Sequence, residues 1–386
     1  MRLEINDTLA ELRQQLRGFV TARLHPVAAE IDRTGQVPDA AWNLMREQGL
    51  LGMLMPAQYG GMDADLPTYC IAQEELGRSH RVFTLILDYT SGLCPSAILK
   101  LGTEAQRERW LPGLASGRLR ASFGLTEPDA GSDAAAMKTR ATKAPGGWLL
   151  NGRKHWISGA NKADVIMLMA VTDPEKRARG GITAFLLEAG TPGFEVTRVD
   201  TTIGSEAIEL AELTFTDCFL ADDAVLGEVG RGFAAAMGSL THGRMGVSAA
   251  CIGAADRLLE MSIEHAKNRT TFGQPLSERQ AIQWMLADSA VELNACRAFM
   301  YEVLRQHAAG AELGQATAQV KLMCSEMVGR VADRAVQIHG GAGLVRGGLP
   351  VERFYRDIRH YRIGEGTSEI HRMLIARDMV KSLGRA

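Results

Sequence analysis

Near the C-terminus the chain reads Arg359-His-Tyr-Arg-Ile-Gly-Glu-Gly-Thr-Ser-Glu-Ile-His-Arg-Met-Leu-Ile-Ala-Arg377. An arginine-rich approach leads to Glu365, which has glycine on both sides, and a helix start follows. Thr367 or Ser368 can cap that helix, Glu369 suits its first turn, and Ile370, Met373, Leu374 and Arg377 fall at helical spacing. Flanking glycines permit unusual dihedrals and let another molecule approach the backbone closely. On these residues alone Glu365 reads either as a presented general base or, the commoner case, as a loop glutamate ahead of an amphipathic helix.

Upstream of this stretch, from Gly232 on, the pattern is helical. Phe233, Met237, Leu240, Arg244, Val247 and Cys251 step by four and three, predicting a helix of about 45 Å through Ser262. Ile282 to His307 carry a second long stripe, and Val320 to Val331 begin a third. Together they predict an antiparallel bundle over 226–386. Before it, 119–225 is strand-rich. Val165 to Val171, Ile182 to Leu187, Phe194 to Val199 and Leu213 to Leu220 are strand-length runs, and Asn151-Gly152 reads as a hairpin turn. A β-barrel or sandwich is expected there. Residues 1–118 again read as helices, the first broken at Pro26. The fold class is therefore α+β multi-domain: an N-terminal helical domain, a central β domain and a C-terminal four-helix bundle.

The 386 residues are 46% hydrophobic and 23% charged, with a formal net charge of −2. That supports a large core and gives no reason to expect nucleic acid or an anionic membrane as partner. Six scattered cysteines without a CxxC pair read as buried thiols rather than disulfides or metal ligands. No run is long enough to span a bilayer and the N-terminus is unlike a signal peptide, so a soluble, cytoplasmic protein without membrane insertion is expected.

Four further stretches carry candidate chemistry. Phe123-Gly-Leu-Thr-Glu-Pro-Asp-Ala-Gly-Ser-Asp133 is either a polar turn or a backbone cradle for a flat ring or a diphosphate. Trp156-Ile157-Ser158 places an aromatic face beside a hydroxyl. Arg269-Thr-Thr-Phe-Gly-Gln274, with Gln280, follows the first long helix. Gln337-Ile-His-Gly-Gly-Ala-Gly343 is glycine-dense but follows a helical stripe, so it is not a Rossmann fingerprint.

Taken in order, these stretches and Glu365-Gly-Thr-Ser-Glu-Ile370 resemble the signatures of the acyl-CoA dehydrogenase family over essentially the whole chain. The resemblance implies FAD as cofactor and an acyl-CoA or acyl-pantetheine substrate. Glu365 would take the α-proton while the flavin accepts the β-hydride. It implies flavin contacts at Phe123, Leu125, Thr126, Gly131, Ser132, Trp156, Ile157, Ser158, Thr367 and Glu369. Arg269, Thr271, Phe272, Gln280, Gln337, Gly340 and Gly341 would serve the flavin of a neighbouring subunit, so a homo-oligomer, a tetramer by family precedent, is implied. Ser132, Thr241, Arg244, Gly366 and Arg377 would meet the thioester, and an electron-transfer flavoprotein would take the electrons. No metal is implied.

The chain departs from the family pattern at four places. Asp129 replaces a common glycine, and Thr241 stands where an acid is usual. Gly243 occupies the place where some relatives carry the catalytic glutamate, leaving Glu365 as the candidate. Gly364 replaces a tyrosine, which should open the pocket. An acyl oxidase or flavin monooxygenase on the same fold, or a dehydrogenase acting on a carrier-tethered acyl group, is the alternative.

Overall fold

The computed structural model describes residues 6–383. Seven helices come first: α1 (Asp7–Phe19), α2 (His25–Thr34), α3 (Asp39–Glu47), α4 (Leu66–Gly77), α5 (Arg81–Ser91), α6 (Leu93–Leu101) and α7 (Glu104–Ala115). Their starts are written locally. The side chains of Asn6 and Asp65 accept the Leu9 and Thr68 amides at 2.9 Å each, and Thr103 with Gln106 forms a capping box. Pro26 does not break the first helix. It lies in the first turn of α2, where no intrahelical N–H is lost, and a π-turn over Val20–Leu24 joins α1 to α2. Arg81–Leu101 is apolar and long enough to cross a membrane by composition alone. It is in fact two core helices separated at Gly92, where a Cβ would stand 1.7 Å from Asp88 Oδ1.

Next come β1 (Ala121–Gly124), β2 (Arg140–Ala144), β3 (Gly147–Ser158), β4 (Val165–Val171), β5 (Ile182–Glu188), β6 (Phe194–Asp200), β7 (Leu210–Ala221) and β8 (Val225–Leu226). They form one mixed sheet in the order β6-β7-β3-β2-β4-β5-β8, with β1 parallel to β4. The hairpin expected at Asn151-Gly152 is not there. The β2–β3 turn is Pro145-Gly146, and β3 runs straight through Asn151-Gly152 with a register shift against β7. Asn151 is tied across the strands to Asp217 (Nδ2–H to Oδ1, 3.0 Å), and a Cβ on Gly152 would come within 2.6 Å of Thr139 Cα. The dipeptide marks a bulge under a close crossing, a use of glycine that turn statistics do not separate from a hairpin.

The C-terminal part holds α8 (Gly232–Asn268), α9 (Gln280–Ala308), α10 (Ala316–His339), a short α11 (Pro350–Asp357) and α12 (Ser368–Leu383). α8, α9, α10 and α12 pack as a bundle. α8 is longer than its stripe predicts, about 56 Å at 1.5 Å per residue over 37 residues. α4 crosses it at close range because each helix turns a glycine to the other's backbone. A Cβ on Gly77 would meet Ala250 O at 2.5 Å, and one on Gly253 would meet Glu74 O at 1.8 Å. All six cysteines are buried and unpaired.

Candidate active site

Glu365 sits where a 3-10 turn (Ile358–Arg362) gives way to α12. Its φ is +57°, and Gly366 follows at +100°. A left-handed glutamate costs about 1–2 kcal/mol and persists because the surroundings hold it. Arg244 on α8 donates from Nε to the Glu365 carbonyl at 3.2 Å, and Lys321 on α10 donates from Nζ to the Gly366 carbonyl at 2.7 Å. Thr367 is the cap of α12, accepting the Ile370 amide at 3.3 Å. The carboxylate lies flat on α8 beside Gly243, where a Cβ would stand 2.9 Å from both of its oxygens. Oε2 is buried and accepts no hydrogen bond among the described residues.

A small cavity of about 50 Å³ opens in front of this carboxylate. Tyr69 and Gln73 of α4, Arg81, Thr84 and Asp88 of α5, and His360 and Tyr361 line it with Glu365. Burial pushes the Glu365 carboxyl up, to about 8, and the Asp88 carboxylate adds to the rise; Arg244 and Lys321 oppose it. Asp88 is itself raised by burial. The positive end of α12, which begins three residues on, would by itself favour an ionised carboxylate. The chain instead desolvates Glu365 by itself, and its cationic neighbours are Arg244, Lys321 and Arg81. Nor does Gly364 open the pocket. His360 fills the space, its Nε2 standing 2.4 Å from where a Cβ of Gly364 would be.

The edge of the sheet supplies a second group of predicted residues. β1 carries Phe123 into the 125–132 loop, and β3 ends at Trp156-Ile157-Ser158. The His155 amide donates to Thr126 O at 2.9 Å, and Ser122 Oγ donates to Ser158 O at 2.5 Å, so loop and strand end are tied together. Trp156 adopts φ +56° and is 53% exposed. Around Gly131 no atom comes within 4 Å of a would-be Cβ. An exposed indole face, half-buried Phe123 and Leu125, the Ser158 hydroxyl and open backbone fit a flat aromatic ring system. α5 links this edge to the cavity. Tyr89, next to Asp88, places its hydroxyl 3.2 Å from where a Cβ of Gly159 would stand.

Arg269, Thr271, Phe272, Gln280, Gln337, Gly340 and Gly341 form a separate group at the far end of the bundle. His265 and His339 stack with centroids 4.4 Å apart, bringing the ends of α8 and α10 together. Phe272 is 97% exposed at φ +51°. Arg269 follows Arg244 by 25 residues along α8, about 37 Å. This group is therefore remote from Glu365. Thr241 and Arg244 lie on α8 near Glu365, whereas Ser132, Glu369 and Arg377 are exposed.

Several residues of the site were missed. Lys154 is fully buried, donating from Nζ to Leu125 O at 3.0 Å and Glu127 Oε1 at 2.8 Å. Glu127 in turn accepts the Lys138 and Thr139 amides at 2.5 and 3.0 Å, so this ion pair holds the 125–139 loop. Burial lowers Lys154 to about 8. Lys321, Asp88 and Arg81 were also passed over. A lysine inside a strand pattern at Lys154 was the available signal; helical spacing hid the others.

Fold and site together define a class: a helical–β–helical protein with a strained glutamate at a small cavity between α4, α5 and α8, and an open sheet edge at Trp156-Ile157-Ser158. The comparisons agree with it. Residues 6–118, 122–218 and 230–380 match the N-terminal, middle and C-terminal domains of acyl-CoA dehydrogenases, and the chain belongs to that family. It is 39% identical to acryloyl-CoA reductase (NADH) of Anaerotignum propionicum, over 96% of this chain and 94% of that one. Among solved structures, butyryl-CoA dehydrogenase from Megasphaera elsdenii is 34% identical with a TM-score of 0.92, covering 98% of this chain and 100% of that one. A glutaryl-coenzyme A dehydrogenase in complex with glutaryl-CoA is 33% identical with a TM-score of 0.93, covering 99% and 97%.

Proposed function

We infer that the chain is an acyl-CoA dehydrogenase that holds FAD and desaturates an acyl thioester between Cα and Cβ, with Glu365 as the general base. The observation that carries the reading is the Glu365 carboxylate: buried, backed by Gly243, and with Oε2 left without a hydrogen bond. A base with a raised pKa has the proton affinity needed to take a weakly acidic α-hydrogen. Arg244 and Lys321 hold the two carbonyls on either side of the Glu365–Gly366 bond, so the base is aimed by its backbone.

FAD, when bound, supplies the acceptor for the two electrons that leave Cβ with its hydrogen. Phe123, Leu125, Thr126, Gly131, Trp156, Ile157 and Ser158 would hold its ring system, with Ser132, Thr367 and Glu369 at the margin of that site. Thr241, Gly366 and Arg377 would lie along the thioester. The roughly 37 Å between Arg244 and Arg269 supports a homo-oligomer, a tetramer in the present proposal, in which Arg269, Phe272 and Gln337 serve a neighbour's FAD. An electron-transferring flavoprotein is the acceptor proposed for the reduced enzyme.

Glu365→Gln tests the reading. It preserves shape and removes the basic oxygen. Flavin and thioester binding should persist, while anaerobic flavin reduction by acyl-CoA falls by about 10²–10⁴-fold or more. Reduction within a few-fold of wild type would remove Glu365 from this role.

A further inference from the structure

A second cavity, of about 390 Å³, opens on the other side of α8. His242 lines it. This residue precedes Arg244 by two and so points about 200° round the helix from the side chain that holds the Glu365 carbonyl. α6 contributes Ser96, Leu99 and Lys100, the start of α4 contributes Leu66 and Pro67 behind Asp65, and the end of α9 contributes His307. None of these residues lines the acyl cavity, whose walls are Tyr69 and Gln73 of α4, α5, and the face of α8 that carries Gly243, Gly246 and Ala250.

The polar groups on this lining can be followed one by one. Ser96 Oγ donates to Ser91 O at 2.9 Å, and the Asp65 carboxylate caps α4 by accepting the Thr68 amide at 2.9 Å. His307 Nδ1 lies 3.0 Å from Ala311 O, to which it can only donate. Lys100 Nζ stands 3.5 Å from His242 Nδ1 and forms no ion pair among the described residues, with Asp65 or with any other acid. An ammonium only donates, so His242 Nδ1 accepts and the neutral ring carries its proton on Nε2. Burial, with Lys100 and then His307, holds His242 down to about 4, so the ring is neutral at neutral pH. What remains is one cation without a counter-charge, an imidazole N–H beside it, and a largely apolar wall.

We propose that this cavity binds a monocarboxylate with a small apolar body, its head held by Lys100 and His242 and its body against Leu54, Leu66, Pro67 and Leu99. A volume of about 390 Å³ is that of a small-molecule site, in which apolar walls surround a few convergent polar groups. Charge selects the head. One ammonium matches one negative charge, whereas a phosphate dianion would bring a second, unmatched charge onto a lining that already holds Asp65. An uncharged alcohol would meet the apolar wall and leave Lys100 without a counter-charge. The site does not depend on the desaturase reading, because it lies on the opposite face of α8 from Arg244.

Calorimetry on the full, flavin-loaded chain at neutral pH tests the proposal with four probes: hexanoate, acetate, hexan-1-ol and inorganic phosphate. Hexanoate should bind with a Kd below about 1 mM and at least about tenfold more tightly than each of the others, the scale of one hydrogen bond to a charged group. Acetate lacks the body, hexan-1-ol the charge, and phosphate the match in charge. Lys100→Gln and His242→Gln should each weaken hexanoate by at least about tenfold, with flavin content and melting temperature as in wild type. Lys100→Arg keeps the charge at an exposed position and should bind hexanoate within about threefold of wild type, whatever the other two variants do to the fold. No binding of hexanoate, a smaller preference over any of the three other probes, an affinity that survives either glutamine substitution, or loss of binding in Lys100→Arg overturns the proposal.

Discussion

Replacing Gly243 by alanine should separate catalysis from stability. A Cβ at this position would stand 2.9 Å from both Glu365 oxygens and 3.1 Å from Cδ. Ordinary contact begins near 3.4 Å, so the carboxylate must retreat by about half an ångström. It can do so cheaply, because the obstructed atoms are the end of a side chain whose Oε2 holds no hydrogen bond. The fold itself gains, since alanine is favoured over glycine inside a helix by about 0.8–1.0 kcal/mol. Misplacing a reacting group by 1 Å can cost about 10²-fold, so half that displacement should slow the chemistry by roughly tenfold. The assay is stopped-flow anaerobic flavin reduction at saturating acyl-CoA, alongside a thermal melt and flavin content. A melt at or above wild type with a tenfold slower reduction is expected. Reduction within twofold of wild type, with the melt unchanged, would show that the carboxylate does not work from its place against Gly243.

Four other outcomes follow from the geometry. Because burial and Asp88 raise Glu365, the acid limb of kcat/KM should lie well above the ordinary carboxylate range, and Asp88→Asn should move it to lower pH; a limb unmoved in Asp88→Asn would separate the two groups. The same shift has a sign for stability. Between about 4.5 and 8 folded Glu365 holds a proton that the unfolded chain has lost, so wild-type stability falls as pH rises through that window, and Glu365→Gln should gain in relative melting temperature across it. Lys154→Met strands Glu127 in the interior and should destabilise by about 3–5 kcal/mol in a denaturant titration while lowering flavin retention; a loss under about 1 kcal/mol would mean that the pair does not hold the loop. Arg269→Ala should reduce FAD retention and oligomer together in light scattering, and a monomer with stoichiometric FAD would contradict a shared site.

What could be read from the sequence depended on whether the signal was local. Long stripes such as Ile282 to His307 report a helix because one face of that segment repeats every few residues. Glu365 was legible because glycines on both sides and a capping threonine announce a constrained loop, and φ +57° is what such a loop delivers. Asn151-Gly152 misled for the same reason. The dipeptide fits a tight turn, but the choice between turn and bulge is made by Thr139 and Asp217, which lie across the sheet. Pro26 likewise reads as a stop, and only the preceding π-turn shows how the chain continues.

The charge state of the site was the least legible part, because a pKa is decided by neighbours distant in sequence. Asp88 and Arg81 sit on an apolar helix 277 and 284 residues before Glu365, and nothing in their local pattern distinguishes them from a solvated face. Folding puts both into one cavity with Glu365, where burial favours the neutral carboxyl forms of Glu365 and Asp88. Arg244, Lys321 and Arg81 act against that rise at Glu365, and they too come from helices far apart in the sequence. The proton affinity of Glu365 is thus set by contacts between elements, whereas the glycines and the cap that mark its loop lie beside it in the sequence.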